Sequence, residues 1–370
     1  MRRRKLLTAA AAITAAAALA LTGCGRAETG ATPGSDGGSA AAAFPADAKI
    51  GISLPAKTSE NWVLAENLFN KDLSAAGFKP SVQFAGDGGA PTQQQQIDAM
   101  ITSGVKVLVI GAVDGKQLGT QLANAKAQGV TVIAYDRLLQ NSKNVDYYIA
   151  YDNEKVGELQ GQALLDGLKD RKGKGPYNVE LIAGSADDAN SKPFFEGAMK
   201  VLQPKIDDKT LTVSSGQTSQ SQVATQGWDP KNVQQRFESI LSANYKGGKK
   251  LDGVLSPNDT LARAAMLSAK NAGQSTPVIT GQDSEKESVK SIAAGVQYST
   301  INKDTTSLVE KTVGMIKDLQ AGKDPATTST ANNGTVDVKT LYLDPVLVTE
   351  ANVKTAYKND PDLDAIANGK

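Results

Sequence analysis

Two doubly wound α/β lobes joined by a hinge with three crossings are the expected fold, and three observations predict it. From Lys49 onward, short apolar runs rich in Val and Ile alternate with longer amphipathic stretches, the pattern of a parallel sheet with crossover helices. The central runs Val105-Lys106-Val107-Leu108-Val109-Ile110 and Val130-Thr131-Val132-Ile133-Ala134 are nearly continuously apolar, as strands covered on both faces must be. After Asp152 the alternation begins again. The roughly 320 residues beyond the leader therefore divide into two similar units of ordinary domain size.

In the first unit, strands are expected at 49–54, 81–85, 105–110, 131–135 and 147–150, with helices at 59–76, 92–103 and 116–128 between them. The second reads as helix 154–168, strand 178–183, helix 191–202, strand 211–215, helix 232–244 and strand 253–256. It continues with helix 260–271, strand 278–280, helix 285–293, strand 298–301 and helix 307–320. The first lobe is expected to comprise 48–152 plus 283–325, and the second 153–282 plus 326–360. The chain then crosses near Asp152-Asn153, near Gln282-Asp283 and after Gly322. Gly86-Asp87-Gly88-Gly89 lacks the alternating ligands and distal Glu of a calcium loop and reads as a turn. Gly167 to Gly175 is no phosphate loop, because no Ser or Thr follows Gly173-Lys174.

Residues 1–23 read as an export signal and 24–47 as a tether. Met1-Arg2-Arg3-Arg4-Lys5 is a charged start, and the apolar run 6–21 is shorter than the about 20 residues of a membrane-spanning helix. It ends in Leu21-Thr22-Gly23-Cys24. That ending resembles the lipobox of bacterial lipoproteins, which implies acylation of the Cys24 sulfur and cleavage just before it. The arginines ahead of Lys5-Leu6-Leu7 also resemble a twin-arginine signal, so both export routes fit. From Gly25 to Ala43, small residues and Pro dominate without an apolar period, as in a flexible tether. The expected address is the outer face of the cell membrane, with the membrane itself a partner through the lipid.

Composition narrows the chemistry. The chain has no histidine and one cysteine, so serine–histidine catalysis, cysteine proteolysis and the usual zinc sites are not expected. No metal or cofactor is called for. The 40 Lys+Arg against 39 Asp+Glu give a net charge of +1, which offers no electrostatic case for nucleic acid.

A doubly wound lobe binds ligands at the carboxyl ends of its strands, and two facing lobes enclose one between them. The polar residues at those ends are Asp136-Arg137, Asp187-Asp188-Ala189-Asn190, Asn258-Asp259 and Gln282-Asp283. Asp and Asn there also serve as N-caps, but a cap needs no adjacent guanidinium, so Asp136-Arg137 points to a ligand. A neutral polyol such as a monosaccharide suits the set: carboxylates accept from hydroxyls, Arg donates to them, and Asn does both. Trp62 and Trp228, the two tryptophans, are candidates for the face that covers the sugar's C–H patch. Micromolar affinity is about 8 kcal/mol. Three or four hydrogen bonds to charged groups, at about 1.5–3 kcal/mol each, reach that figure before ordering costs.

The chain resembles the periplasmic sugar-binding proteins of ABC importers, type I fold, in the branch of D-xylose-binding and multiple-monosaccharide-binding proteins. The segments that carry the resemblance include Ala134-Tyr135-Asp136-Arg137, Asp152-Asn153-Glu154-Lys155-Val156-Gly157, Trp228-Asp229-Pro230, Gly281-Gln282-Asp283 and Gln297-Tyr298-Ser299-Thr300-Ile301. By position it implies sugar contacts at Asp136, Arg137, Asp188, Asn190, Trp228, Asn258 or Asp259, Asp283 and Lys303. Lys303 enters from the resemblance alone. Where relatives place an Arg before the first-helix Trp, this chain has Asn61 before Trp62, which removes a long cationic donor from the expected site.

The implied mechanism is capture of a pentose or hexose by a monomer and its delivery to an ABC permease, with no chemical conversion. A sugar-sensing lobe for a membrane signalling partner is an alternative. A glycosidase using paired carboxylates is a more distant one, because Arg137 and Lys303 are expected to keep nearby carboxylates ionised.

Overall fold

The computed structural model describes residues 43–370. The expected export signal, Cys24 and most of the expected tether lie outside the described residues.

The first lobe opens with β1 (Lys49–Leu54), α1 (Glu60–Ala75), β2 (Lys79–Phe84), α2 (Gly89–Thr102), β3 (Val107–Ile110), α3 (Gly119–Ala127), β4 (Thr131–Tyr135) and β5 (Tyr147–Tyr151). The second begins with α4 (Asn153–Lys172), β6 (Tyr177–Leu181), α5 (Ser191–Asp207), β7 (Leu211–Val213), α6 (Gln220–Val223) and α7 (Pro230–Asn244). It continues through β8 (Gly253–Leu255), α8 (Asp259–Asn271), β9 (Val278–Ile279), α9 (Lys286–Ala293) and β10 (Ser299–Asn302). The C-terminal stretch holds α10 (Thr305–Gln320), β11 (Ser329–Asn332), β12 (Asp337–Leu343), β13 (Val346–Thr349), α11 (Val353–Ala356) and α12 (Pro361–Ala367).

The first sheet runs β11-β12-β5-β4-β3-β1-β2, parallel throughout except where β11 meets β12. Its central strands are apolar on both faces for a visible reason. Val107 and Val109 pack with Phe69 and Leu73 of α1 and Val309 and Ile316 of α10, while Leu108 and Ile110 pack with Ile97 of α2 and Leu122 of α3. The second sheet, β7-β6-β8-β9, is parallel. One of its faces is covered by α4 and α5 and the other by α7 and α8. A Cβ on Gly157 would strike the Phe194 carbonyl, and one on Gly197 the Glu154 carbonyl. The backbones of α4 and α5 touch there, which fixes the first turn of α5 against the cleft.

The lobe boundaries depart from expectation. β10 pairs with β13, and the Tyr298 and Ile301 amides donate to the Ile279 and Gly281 carbonyls at the end of β9, so 283–303 extends the second lobe and not the first. α10 then packs on α1, and β12 adds to β5, so 326–343 belongs to the first sheet and not the second lobe. The crossings lie at 152–153, 303–304 and 343–346. Only the first coincides with the expected place. Two smaller differences concern loops. Gly86–Gly88 forms a short 3-10 helix leading into α2, in place of a free turn. The Ala43 amide donates to Gln320, and Phe44 packs beside Phe78, so the folded body starts ahead of residue 48.

Candidate functional site

The strand ends of the two lobes face each other across a cavity of about 260 Å³, near the lower end of the range for small-molecule pockets. From the first lobe, Asn61 and Trp62 enter from the first turn of α1, and Asp136 and Arg137 follow β4. From the second come Asp188 and Asn190 after β6, Trp228 before α7, Asn258 after β8 and Asp283 after β9; Lys303 stands at the second crossing. Every expected residue except Asp259 thus lines one cavity.

Asp136 leaves β4 with φ 61°, a left-handed conformation that Asp tolerates better than most residues. Its carbonyl accepts from the Tyr148 hydroxyl (2.9 Å) and from Asn190 Nδ2 (3.0 Å), and its Oδ1 accepts from the same Asn190 amide at 3.1 Å. Asn190 is held in turn by Asn153 Nδ2 at 2.9 Å. Arg137 Nε lies 3.0 Å from Asp188 Oδ2, its Nη1 donates to the Ala112 carbonyl, and its guanidinium sits 5.4 Å from the Trp62 ring centre. Asp188 also accepts from Trp228 Nε1 at 3.1 Å. Gly184 leaves room for that indole, since a Cβ there would overlap its ring. Lys303 Nζ stands 3.5 Å from Asp136 Oδ2 and 3.4 Å from Asp283 Oδ1. Asp283 is placed by a left-handed φ of 90° and by the hydrogen bond its backbone amide donates to the Ile301 carbonyl.

These charges are deeply set, and burial acts on them first. It raises the pKa of Asp188, opposed by Arg137, and that of Asp283, opposed by Lys303. Burial works against the Lys303 charge, yet Asp136 and Asp283 more than offset it, so its pKa lies above the ordinary lysine value. Desolvation therefore outweighs the expected effect of Arg137 and Lys303 in keeping Asp188 and Asp283 ionised.

Asp259 is the exception among the expected residues. It is fully buried beneath the site, with Oδ1 accepting from Gln297 Nε2 (2.8 Å) and Oδ2 from the Thr300 hydroxyl (2.9 Å) and the Glu285 amide (3.0 Å). Burial, and then the neighbouring Glu285, push its pKa well above the ordinary aspartate value. Asn258 lines the cavity while its Oδ1 caps α8 through the Leu261 amide. It is thus both a cap and a wall residue.

The cavity also includes residues that inspection of the strand ends does not reveal. Phe194 stands one helical turn after Asn190, and Lys303 Nζ lies 5.6 Å from its ring centre. The i, i+4 spacing from Asn190 was the available signal. Gln282, inside the Gly281-Gln282-Asp283 segment, lines the cavity with a buried Oε1 that has no hydrogen-bond partner among the described residues. Phe194 joins Trp62 and Trp228 as an aromatic wall around the polar groups. The set can hold a small hydroxyl-rich molecule by many donors and acceptors and cover its apolar faces.

Residues 50–324 match the family described as periplasmic binding protein domain. The chain is 47% identical over 320 residues to the multiple sugar-binding periplasmic receptor ChvE of Rhizobium radiobacter, covering 84% of this chain and 90% of that one. It is 37% identical to the D-xylose-binding periplasmic protein of Escherichia coli, covering 86% and 92%. Among solved structures, an ABC transporter solute-binding protein from Clostridium phytofermentans with bound β-D-glucose superposes with TM-score 0.80 at 35% identity, covering 85% and 99%. A carbohydrate transporter solute-binding protein from Chloroflexus aurantiacus in complex with D-glucose gives 0.77 at 34% identity, covering 85% and 96%. The relatives are binding proteins, and this chain is not an enzyme. It belongs to the periplasmic binding protein family, type I fold, alongside the multiple-sugar-binding and D-xylose-binding members.

Proposed function

We propose that this protein is the lipid-anchored solute-binding component of an ABC importer, which captures a pentose or hexose between its lobes and hands it to a membrane permease. The observation that carries the reading is the polar seam at the cleft: Arg137 against Asp188, and Lys303 between Asp136 and Asp283. A hydroxyl-rich ligand inserted there gains charge-assisted hydrogen bonds from both lobes at once. It binds the closed form better than the open one, which is the differential affinity that shifts the equilibrium. Trp62, Phe194 and Trp228 supply the apolar contact. That two solved relatives hold glucose and another relative is named for xylose supports both a hexose and a pentose as candidates.

The role of Cys24 follows from its lipobox-like setting. On flexible-chain scaling, the about 20 residues of the expected tether would reach roughly 25 Å, which would keep the trap close to its permease. The test has two parts. Pure protein is screened by thermal stabilisation against pentoses and hexoses while the sugars are followed by chromatography: stabilisation with unchanged sugar is expected, and turnover or no response to any sugar sinks the reading. In cells, Cys24→Ser is expected to move the protein from the membrane to the soluble fraction. Retention at the membrane would contradict the anchor.

A further inference from the structure

Among the described residues and away from the hinge segments, one hydrogen bond joins the lobes with no cavity-lining residue in it. Glu60 is the first residue of α1, which packs in the first lobe through Ala65, Phe69 and Leu73. Its Oε2 accepts a hydrogen bond of 3.1 Å from the Lys286 backbone amide. Lys286 is the first residue of α9, and α9 is anchored in the second lobe by Val289 and Ile292 against Val348, Val353 and Tyr357. The carboxylate therefore satisfies an amide that has no partner inside its own helix and sits at the positive end of the α9 dipole. Among the described residues Glu60 forms no salt bridge, and this is the one hydrogen bond its side chain makes. The Lys286 side chain is engaged elsewhere, 3.0 Å from Asp362 of α12 in its own lobe. Glu60 borders the neighbouring groove between α1 and the C-terminal helices and not the cavity itself.

We propose that Glu60 is a closing latch: by docking on the N-terminus of α9 it holds the lobes together at the lip of the cleft, and so sets ligand affinity without touching the ligand. The contact joins separate lobes, so its energy belongs to the closed form and is lost on opening. Its removal then appears as faster sugar release. The inference rests on the proposed sugar-driven closure, because the latch acts on affinity only through that equilibrium.

A double-mutant cycle tests it on the full chain with D-glucose and D-xylose as probes. Lys286→Pro deletes the amide donor where proline is tolerated, at the first helical position after an extended Glu285 (φ −62°, ψ 142°). Lys286→Ala keeps the amide and is the reference for the lost side chain. Glu60→Ala is expected to weaken affinity about two- to fivefold, chiefly through a faster off-rate, with the unfolding midpoint of the sugar-free protein unchanged. Lys286→Pro is expected to bind more weakly than Lys286→Ala by the same factor in the otherwise wild-type chain, and equally in the Glu60→Ala background. A Pro-versus-Ala difference that persists alongside Glu60→Ala, or unchanged off-rates in Glu60→Ala while wild type binds, overturns the latch and leaves the sugar site standing. Wild-type protein that binds neither these two nor any other pentose or hexose overturns both.

Discussion

The loops that follow β4 and β8 look alike in sequence and differ in what they do. Each sets two polar residues at the carboxyl end of a central strand: Asp136-Arg137 in one and Asn258-Asp259 in the other. Both members of the first pair line the cavity, but only Asn258 does so in the second. The reason lies in what comes next. β4 leads into a loop that reaches β5 without a helix, and the left-handed turn at Asp136 lets both side chains line the cavity. β8 runs straight into α8, so Asn258 must be the cap and Asp259 the first helical residue, directed back under the loop toward Gln297 and Thr300. A strand end locates a binding loop, and the helix start decides which side chain reaches the ligand.

Mutation should pull the two loops apart, beginning with the largest effect. Arg137→Ala or Asp283→Ala removes charged partners from the cavity and leaves Asp188 or Lys303 buried with its ion pairing reduced. Loss of about 3 kcal/mol of binding, or more than about 100-fold in affinity, is expected by titration calorimetry. The sugar-free variants should still fold. Asp259→Ala should do the reverse. It strips the acceptor from the Glu285 amide, the Gln297 side chain and the Thr300 hydroxyl, so the sugar-free protein loses about 3 kcal/mol of stability while sugar still raises the unfolding midpoint. A stable Asp259→Ala that no longer responds to sugar would place Asp259 in the binding wall after all.

Acidification should separate the same two roles. The folded-state pKa values of Asp188, Asp283, Asp259 and Glu285 all lie above their ordinary values, with burial the main cause. The folded state therefore binds more protons than the unfolded chain, and the contribution of these groups to stability increases as pH falls, being complete below the ordinary carboxylate range near about 4. Sugar affinity should move the opposite way, because protonating Asp188 and Asp283 removes their negative charge and turns one oxygen of each from an acceptor into a donor. Titrations that descend from neutral pH toward the ordinary carboxylate range at about 4 should show weakening affinity before any loss of sugar-free stability, and the opposite order would contradict the assignment. The smallest effect is expected at Asn61→Ala, where a neutral hydrogen-bonding group is removed. A loss of about two- to tenfold is expected, unequal between pentoses and hexoses.

The alternating strands and helices from 49 to 320 were legible because each buried face imposes a local period, and their bounds agree with the structure to within a few residues. The C-terminal strands were not. β11 is Ser-Thr-Ala-Asn, with Ala331 alone buried, and β12 finds its partner β5 about 190 residues earlier in the chain, a pairing no local pattern announces. The lobe boundaries and two of the crossings were misplaced for that reason. The site was legible where chemistry and strand end coincided, as at Asp136-Arg137. Asp259 lies outside the wall and Phe194 within it because helix phase, and not composition, decides what faces the cleft.

Sugar capture itself is open to a single direct measurement, titration calorimetry of the wild-type protein against a panel of pentoses and hexoses that includes D-glucose and D-xylose. Saturable binding of one sugar per chain is expected, with the sugar recovered unchanged. No heat of binding with any pentose or hexose, or consumption of the sugar, would show that the cleft is not a monosaccharide trap.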